Sequence, residues 1–262
     1  MTDFIQSYPW GGFGVLIALG LAPSALWISY YLKQDNSNNP EPKIAILRIF
    51  LYGFISTFVA FGIEWVIIRL SLTNTATCPT CGSLAAQLFD SGTATIPFMF
   101  SFFFLSILAL IEEWVKYIAA RIGIMHSRYF DEPVDAMIYL IVAALGFAAA
   151  ENIGYILQNP DNAIGIAYLR FLSSTSLHAL SSAIIGYFLT ISIIHKKNKY
   201  AYIAIGVACA TLLHTLFNFL IITSQWQQHA TLSILILMLG AFFIVSLLFK
   251  SAKRLSFTKA QF

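Results

Sequence analysis

Seven stretches of this chain are apolar for about 20 residues or more, and that repetition constrains the fold more than any single motif does. They lie at about 11–32, 44–72, 96–124, 134–157, 168–195, 200–224 and 231–249. A bilayer core of about 30 Å needs about 20 apolar residues in a helix. In lipid a helix satisfies each backbone N–H and C=O within its own segment. The expected fold is therefore all-α and polytopic, a bundle of about seven transmembrane helices forming one integral membrane domain over 1–262. Composition agrees, with 58% of residues hydrophobic and 10% charged, where a soluble domain carries about 25% charge. A net charge of +3 gives no reason to expect nucleic acid, and the expected surroundings are a lipid bilayer. The first ten residues, MTDFIQSYPW, lack the basic region of a cleavable signal, so none is expected.

The basic residues set an orientation. Lys33, Lys43, Arg121, Arg128, Lys196, Lys197, Lys199, Lys250, Lys253, Arg254 and Lys259 fall on one side of the expected bundle, against Arg69 and Arg170 on the other. The positive-inside rule puts the N-terminus outside and the C-terminus in the cytoplasm, as an odd helix count requires. Two of the three cysteines, Cys78 and Cys81, form CPTC in a loop on the outer side. A local disulfide is compatible with that compartment. Metal binding would need more ligands than one CxxC supplies.

Ionisable groups at membrane depth cost about 2.5–3.5 kcal/mol each on insertion scales and persist where they pair, meet water or do chemistry. Glu112, Glu113 and Lys116 lie in the third stretch, Glu151 beside Asn152 in the fourth, His178 in the fifth, and His214 with Asn218 in the sixth. At 1.5 Å per residue, His178 and His214 sit about 15 Å from the outer helix ends, Glu151 about 9 Å and Glu112 about 24 Å. Four helices can thus bring these groups into one layer. Lys116 reaches both Glu112 and Glu113 by helical spacing. The two acids are about 100° apart, so one can face a pocket while the other pairs with Lys116. His126, His195 and His229 fall at helix ends or in loops, and Glu64 reads as a packing or interface residue within reach of Arg69.

A structural polar network would explain part of this set, though hardly all of it across four helices. Among hydrolytic signatures, HExxH and GxSxG are absent, and no Asp lies deep in a helix. NPDN at 159–162 is similar to a site-2 protease motif, but without HExxH it reads as a turn. What remains is Glu and His. A carboxylate in an apolar site suits a general base, and a His with an Asn one turn away can donate to a tetrahedral oxyanion. The same groups could hold zinc, since His₂Glu is a catalytic ligand set. Composition and spacing leave both open: no cofactor is predicted, and zinc is a possible one.

The stretches LAPSALWISYYLKQDNSNNPEP (21–42), EEWVKY (112–117), DEPVDAMIYLIVAALGFAAAENIGYIL (131–157), LRFLSSTSLHALSSAIIGYFL (169–189) and LLHTLFNFL (212–220) resemble the PrsW family of intramembrane proteases, from about Leu21 to Leu220. That family shares a superfamily with the type II CAAX prenyl endopeptidases and the Aph-1 subunit of γ-secretase. The resemblance implies a multi-pass protease domain of the bacterial cytoplasmic (inner) membrane that cleaves a peptide bond in or near a membrane-spanning substrate. It implies catalysis by Glu112, Glu113, Glu151, His178, His214 and Asn218, with Lys116 and Asn152 in support. It also implies a single-span substrate of the anti-sigma-factor kind, cut on the outer side. The CPTC loop departs from the family pattern. Two other readings stand beside this one. A non-catalytic scaffold would use the same fold, and a small proton-coupled transporter would also bury Glu, Lys and His.

Overall fold

The computed structural model describes residues 9–35, 40–73, 98–124, 129–224 and 230–255. Cys78 and Cys81 lie outside the described residues. The helices are α1 (Pro9–Tyr31), α2 (Lys43–Thr73), α3 (Phe98–Ile124), α4 (Asp135–Gln158), α5 (Ala163–Leu172), α6 (Ser174–Ile194), α7 (Lys199–Ser224) and α8 (Ala230–Ala252), with short 3-10 turns between some of them. No strand occurs among the described residues. Six spans are long and apolar enough to cross a membrane, α5 and α6 counting together as one. Helix α3 is 27 residues long, or about 40 Å, and differs in carrying Glu112, Glu113 and Lys116 inside its apolar run.

Helix α4 is the centre of the bundle. Every residue from Ala136 to Ala149 is buried, and its main neighbours are α2, α6 and α1. Small residues allow this approach. A Cβ added at Gly146 would lie 2.0 Å from the Phe50 carbonyl oxygen, and one added at Gly53 would lie 1.9 Å from that of Ala143. The α2 and α4 backbones therefore touch where both side chains are only hydrogen. Thr57 Oγ1 of α2 then donates to the Phe147 carbonyl at 3.1 Å.

The fifth stretch, expected as one helix over 168–195, is instead two helices. It starts earlier, at Ala163, and breaks at Ser173, whose φ of −111° and ψ of −92° are not helical. The cause is local. Ser173 Oγ donates back to the Leu169 carbonyl at 2.7 Å, and Ser176 Oγ to the Leu172 and Ser173 carbonyls at 2.8 Å. Such hydroxyl bonds compete with the helix ladder. Trp27 of α1 satisfies another carbonyl near the break, its indole N–H donating to Phe171 O at 2.9 Å. His178 consequently sits in the first turns of α6 rather than midway along one long helix.

Candidate functional site

Helix α4 places Glu151 one turn beyond Phe147, with Asn152 beside it, where it packs against α3, α5 and α6. Helix α3 contributes Glu112, Glu113 and Lys116, α6 contributes His178 and Ser181, and α7 contributes His214. The two adjacent glutamates diverge, as 100° of helical rotation demands. Glu113 is fully buried. Its Oε1 accepts from Lys116 Nζ at 2.7 Å, from Ser181 Oγ at 3.0 Å and from His214 Nδ1 at 2.8 Å. Glu112 approaches the same imidazole and ammonium from another side. Its Oε2 lies 3.8 Å from His214 Nε2, 4.0 Å from His178 Nδ1 and 4.0 Å from Lys116 Nζ. That oxygen is buried and accepts no hydrogen bond from a described residue.

Each imidazole is turned by a second carboxylate. His178 Nε2 lies 2.9 Å from Glu151 Oε2, and its Nδ1 lies 2.9 Å from Lys116 Nζ. An ammonium can only donate. Nδ1 is therefore the acceptor, and Nε2–H donates to Glu151. His214 donates Nδ1–H to Glu113, which in the neutral ring leaves the Nε2 lone pair facing Glu112. The rings meet edge to face, with centroids 5.1 Å apart. One ligand atom from each of Glu112, His178 and His214 lies within 4.8 Å of the others. A carboxylate behind each ligating imidazole is the usual arrangement around a bound metal.

Sequence reasoning assigned no role in the site to Arg170, on α5. The break at Ser173 lets it reach Glu151, with Nη2 donating to Oε2 at 2.9 Å. Its Nε donates to the Asn152 side-chain oxygen, and Asn152 Nδ2 in turn donates to Thr175 Oγ1 at 3.0 Å. Asn152 thus holds Arg170 in place. Asn218 is half-buried one helical turn beyond His214 on α7, and no hydrogen bond joins its side chain to a described residue. Glu64 of α2 differs from its expected pairing. Arg69 lies over the Trp65 ring at 5.4 Å, and Glu64 Oε1 is buried without a partner, near enough to Glu151 and Lys116 to interact with their charges.

These residues can be tested for metal binding by their charge. Four carboxyl groups, Glu64, Glu112, Glu113 and Glu151, stand against two fixed cations, Lys116 and Arg170. At membrane depth so large an imbalance is expensive. Two protons or one divalent cation would remove it. The unsatisfied Glu112 oxygen and the two carboxylate-backed imidazoles fit a divalent ion with three protein ligands. Lys116 would have to release His178 Nδ1, to which it donates at 2.9 Å, and would stay on Glu113.

A family model described as "PrsW family intramembrane metalloprotease" matches residues 41–248. A Protease PrsW of Geobacillus kaustophilus is 30% identical over 85% of this chain and 87% of its own length. One of Bacillus subtilis is 26% identical over 82% and 86%, and one of Clostridioides difficile 23% identical over 80% and 81%. No solved structure matches the chain.

Proposed function

The chain belongs to the PrsW family of intramembrane proteases, and we propose that it hydrolyses peptide bonds with a water held between Glu112, His178 and His214. It is a peptidase and a multi-pass protein of the bacterial inner membrane, acting on membrane substrates. That membership sets aside the transporter and scaffold readings. The observation that carries the mechanism is the unsatisfied Glu112 Oε2, buried between two imidazoles at 3.8 and 4.0 Å.

In this reading Glu112 accepts the proton of the attacking water. Glu113 and Glu151 fix the tautomers and directions of His214 and His178. Lys116 and Arg170 hold those two carboxylates in place, and Asn152 positions Arg170. Asn218, whose amide is uncommitted, donates to the oxyanion that forms on the scissile carbonyl. If zinc is bound, Glu112, His178 and His214 would be its ligands, Glu112 then serving as ligand in place of base, and the ion would lower the pKa of water and polarise the carbonyl. The substrate we propose is a single-span membrane protein of the anti-sigma-factor kind, cut near the outer face. The whole chain, 1–262, acts as one protease domain.

The test is cleavage of a single-span peptide by purified protein in detergent. Glu112→Gln, Glu151→Gln and His214→Ala should each lose at least about 100-fold in rate while eluting as folded monodisperse protein. Unchanged cleavage in all three would reject the site. Elemental analysis of wild type against His214→Ala, with chelation and zinc add-back, tests the ligand set separately.

A further inference from the structure

A second site lies at the far end of the bundle, where Lys250 and Lys253 line a cavity. Between the C-terminal ends of α1 and α8 is a cavity of about 340 Å³, walled by Tyr30, Tyr31, Gln34, Phe249, Lys250 and Lys253 among others. Tyr31 is 3% exposed and stacks on Phe249 with ring centroids 6.0 Å apart. Its hydroxyl has no hydrogen-bond partner, and an unsatisfied buried hydroxyl costs about 1–3 kcal/mol. Lys250 and Lys253 are three residues apart and share a face of α8. Neither forms an ion pair with a described residue. No acidic side chain lines the cavity.

We propose that this cavity binds the headgroup of an anionic phospholipid from the leaflet at that end, which the positive-inside rule assigns to the cytoplasm. Phosphate oxygens would accept from the two ammonium groups and from the Tyr31 hydroxyl, and so satisfy the buried donor. Phe242 and Val245, further up α8 on the same wall, offer an apolar track for an acyl chain. A zwitterionic headgroup would find no carboxylate for its cation. Basic pockets between transmembrane helices at a cytoplasmic face bind anionic headgroups for these reasons.

The experiment is native mass spectrometry of the full chain in detergent, titrated with phosphatidylglycerol or with phosphatidylcholine of the same acyl chains. Wild type should retain one phosphatidylglycerol where phosphatidylcholine has dissociated. Lys250→Gln/Lys253→Gln should weaken that retention by roughly tenfold or more. Tyr31→Phe, which keeps the stacked ring, should weaken it severalfold. Lys197→Gln/Lys199→Gln, at the same end but outside the cavity, should leave it unchanged. Equal retention of the two lipids would overturn the proposal, as would equal losses in the two lysine pairs. Displacement of phosphatidylglycerol by millimolar inorganic phosphate would assign the site to a soluble phosphate instead and refute the lipid.

Discussion

Replacing Lys116 with methionine tests whether the site is held by charge or by shape. Methionine nearly matches the lysine stem, and Lys116 is 0% exposed, so the main loss is the ammonium. In the wild type that ammonium lies 2.7 Å from Glu113 Oε1 and 2.9 Å from His178 Nδ1. Lys116→Met leaves Glu113 buried with only the neutral donors Ser181 and His214, at 3.0 and 2.8 Å. Removing one partner of a buried pair costs about 3–5 kcal/mol. Glu113→Gln is milder, because the amide oxygen can still accept from Lys116 and His178 Nδ1 remains beside the ammonium. Its cost is about 1–3 kcal/mol. The double variant leaves neither charge exposed to an empty partner and should recover most of the loss, to within about 1.5 kcal/mol of wild type. The assay is a double-mutant cycle on thermal midpoints of purified protein in one detergent, followed by loss of the folded elution peak. Lys116→Met as stable as wild type, or a double variant showing the sum of the single losses, would refute the electrostatic account.

Other expectations follow from residues around this pair. Arg170→Met removes the cation from Glu151 and should reduce cleavage by about 10–100-fold, the range for loss of a group that orients a ligating residue; Arg170→Lys should restore only part, since it cannot reach Glu151 and Asn152 together. Gly146→Leu should prevent the α2–α4 contact and abolish folded protein, whereas Gly14→Leu, with nothing within 4 Å of a Cβ, should express normally. Outside the membrane-spanning segments, burial and the carboxylates of Asp135 and Asp35 push the Glu41 carboxyl up to about 9. A raised acid holds its proton longer in the folded protein. Its stabilising contribution is therefore complete below the unfolded value of about 4.3 and is lost as pH rises toward 9. Glu41→Gln should flatten the fall in thermal midpoint between about pH 5 and pH 9.

The spans were legible because lipid permits few backbone solutions, and length and apolarity identify them. The site was legible for a related reason. Carboxylates and imidazoles at membrane depth are too expensive to be incidental, so Glu112, Glu113, Lys116, Glu151, His178 and His214 stood out, and the structure gathers them. Arg170 was missed because a continuous helix over 168–195 turns it into a charge near a helix end, useful only for orientation. The break at Ser173 is accompanied by hydroxyl-to-carbonyl bonds and by a contact from Trp27 of a distant helix, neither of which is periodic in sequence. Glu64 was misread because Arg69 is near in sequence. The nearby Trp65 ring takes that guanidinium instead, so the acid is left to the site.

The paired glutamates make sense as a division that one residue could not perform. Glu113 must hold Lys116, Ser181 and the Nδ1–H of His214 at once, and those donors all crowd on its Oε1. An oxygen so engaged is a poor proton acceptor. Glu112 is the next residue, so it shares the same depth but is rotated by about 100°. It therefore reaches the same two imidazoles from the side their carboxylate partners leave open. His214 presents Nε2 there because Glu113 has taken Nδ1. His178 turns Nδ1 to that side because Glu151 has taken Nε2, and Nδ1 there accepts from Lys116 at 2.9 Å. Both acids lie within reach of Lys116 by helical spacing, but the ammonium stands 2.7 Å from Glu113 and 4.0 Å from Glu112, so only Glu113 is closely paired. Glu113 Oε2 likewise has no hydrogen-bond partner among the described residues, so the two acids differ in that three donors anchor Glu113 through Oε1, while Glu112 Oε2 stands 3.8 and 4.0 Å from the two imidazoles.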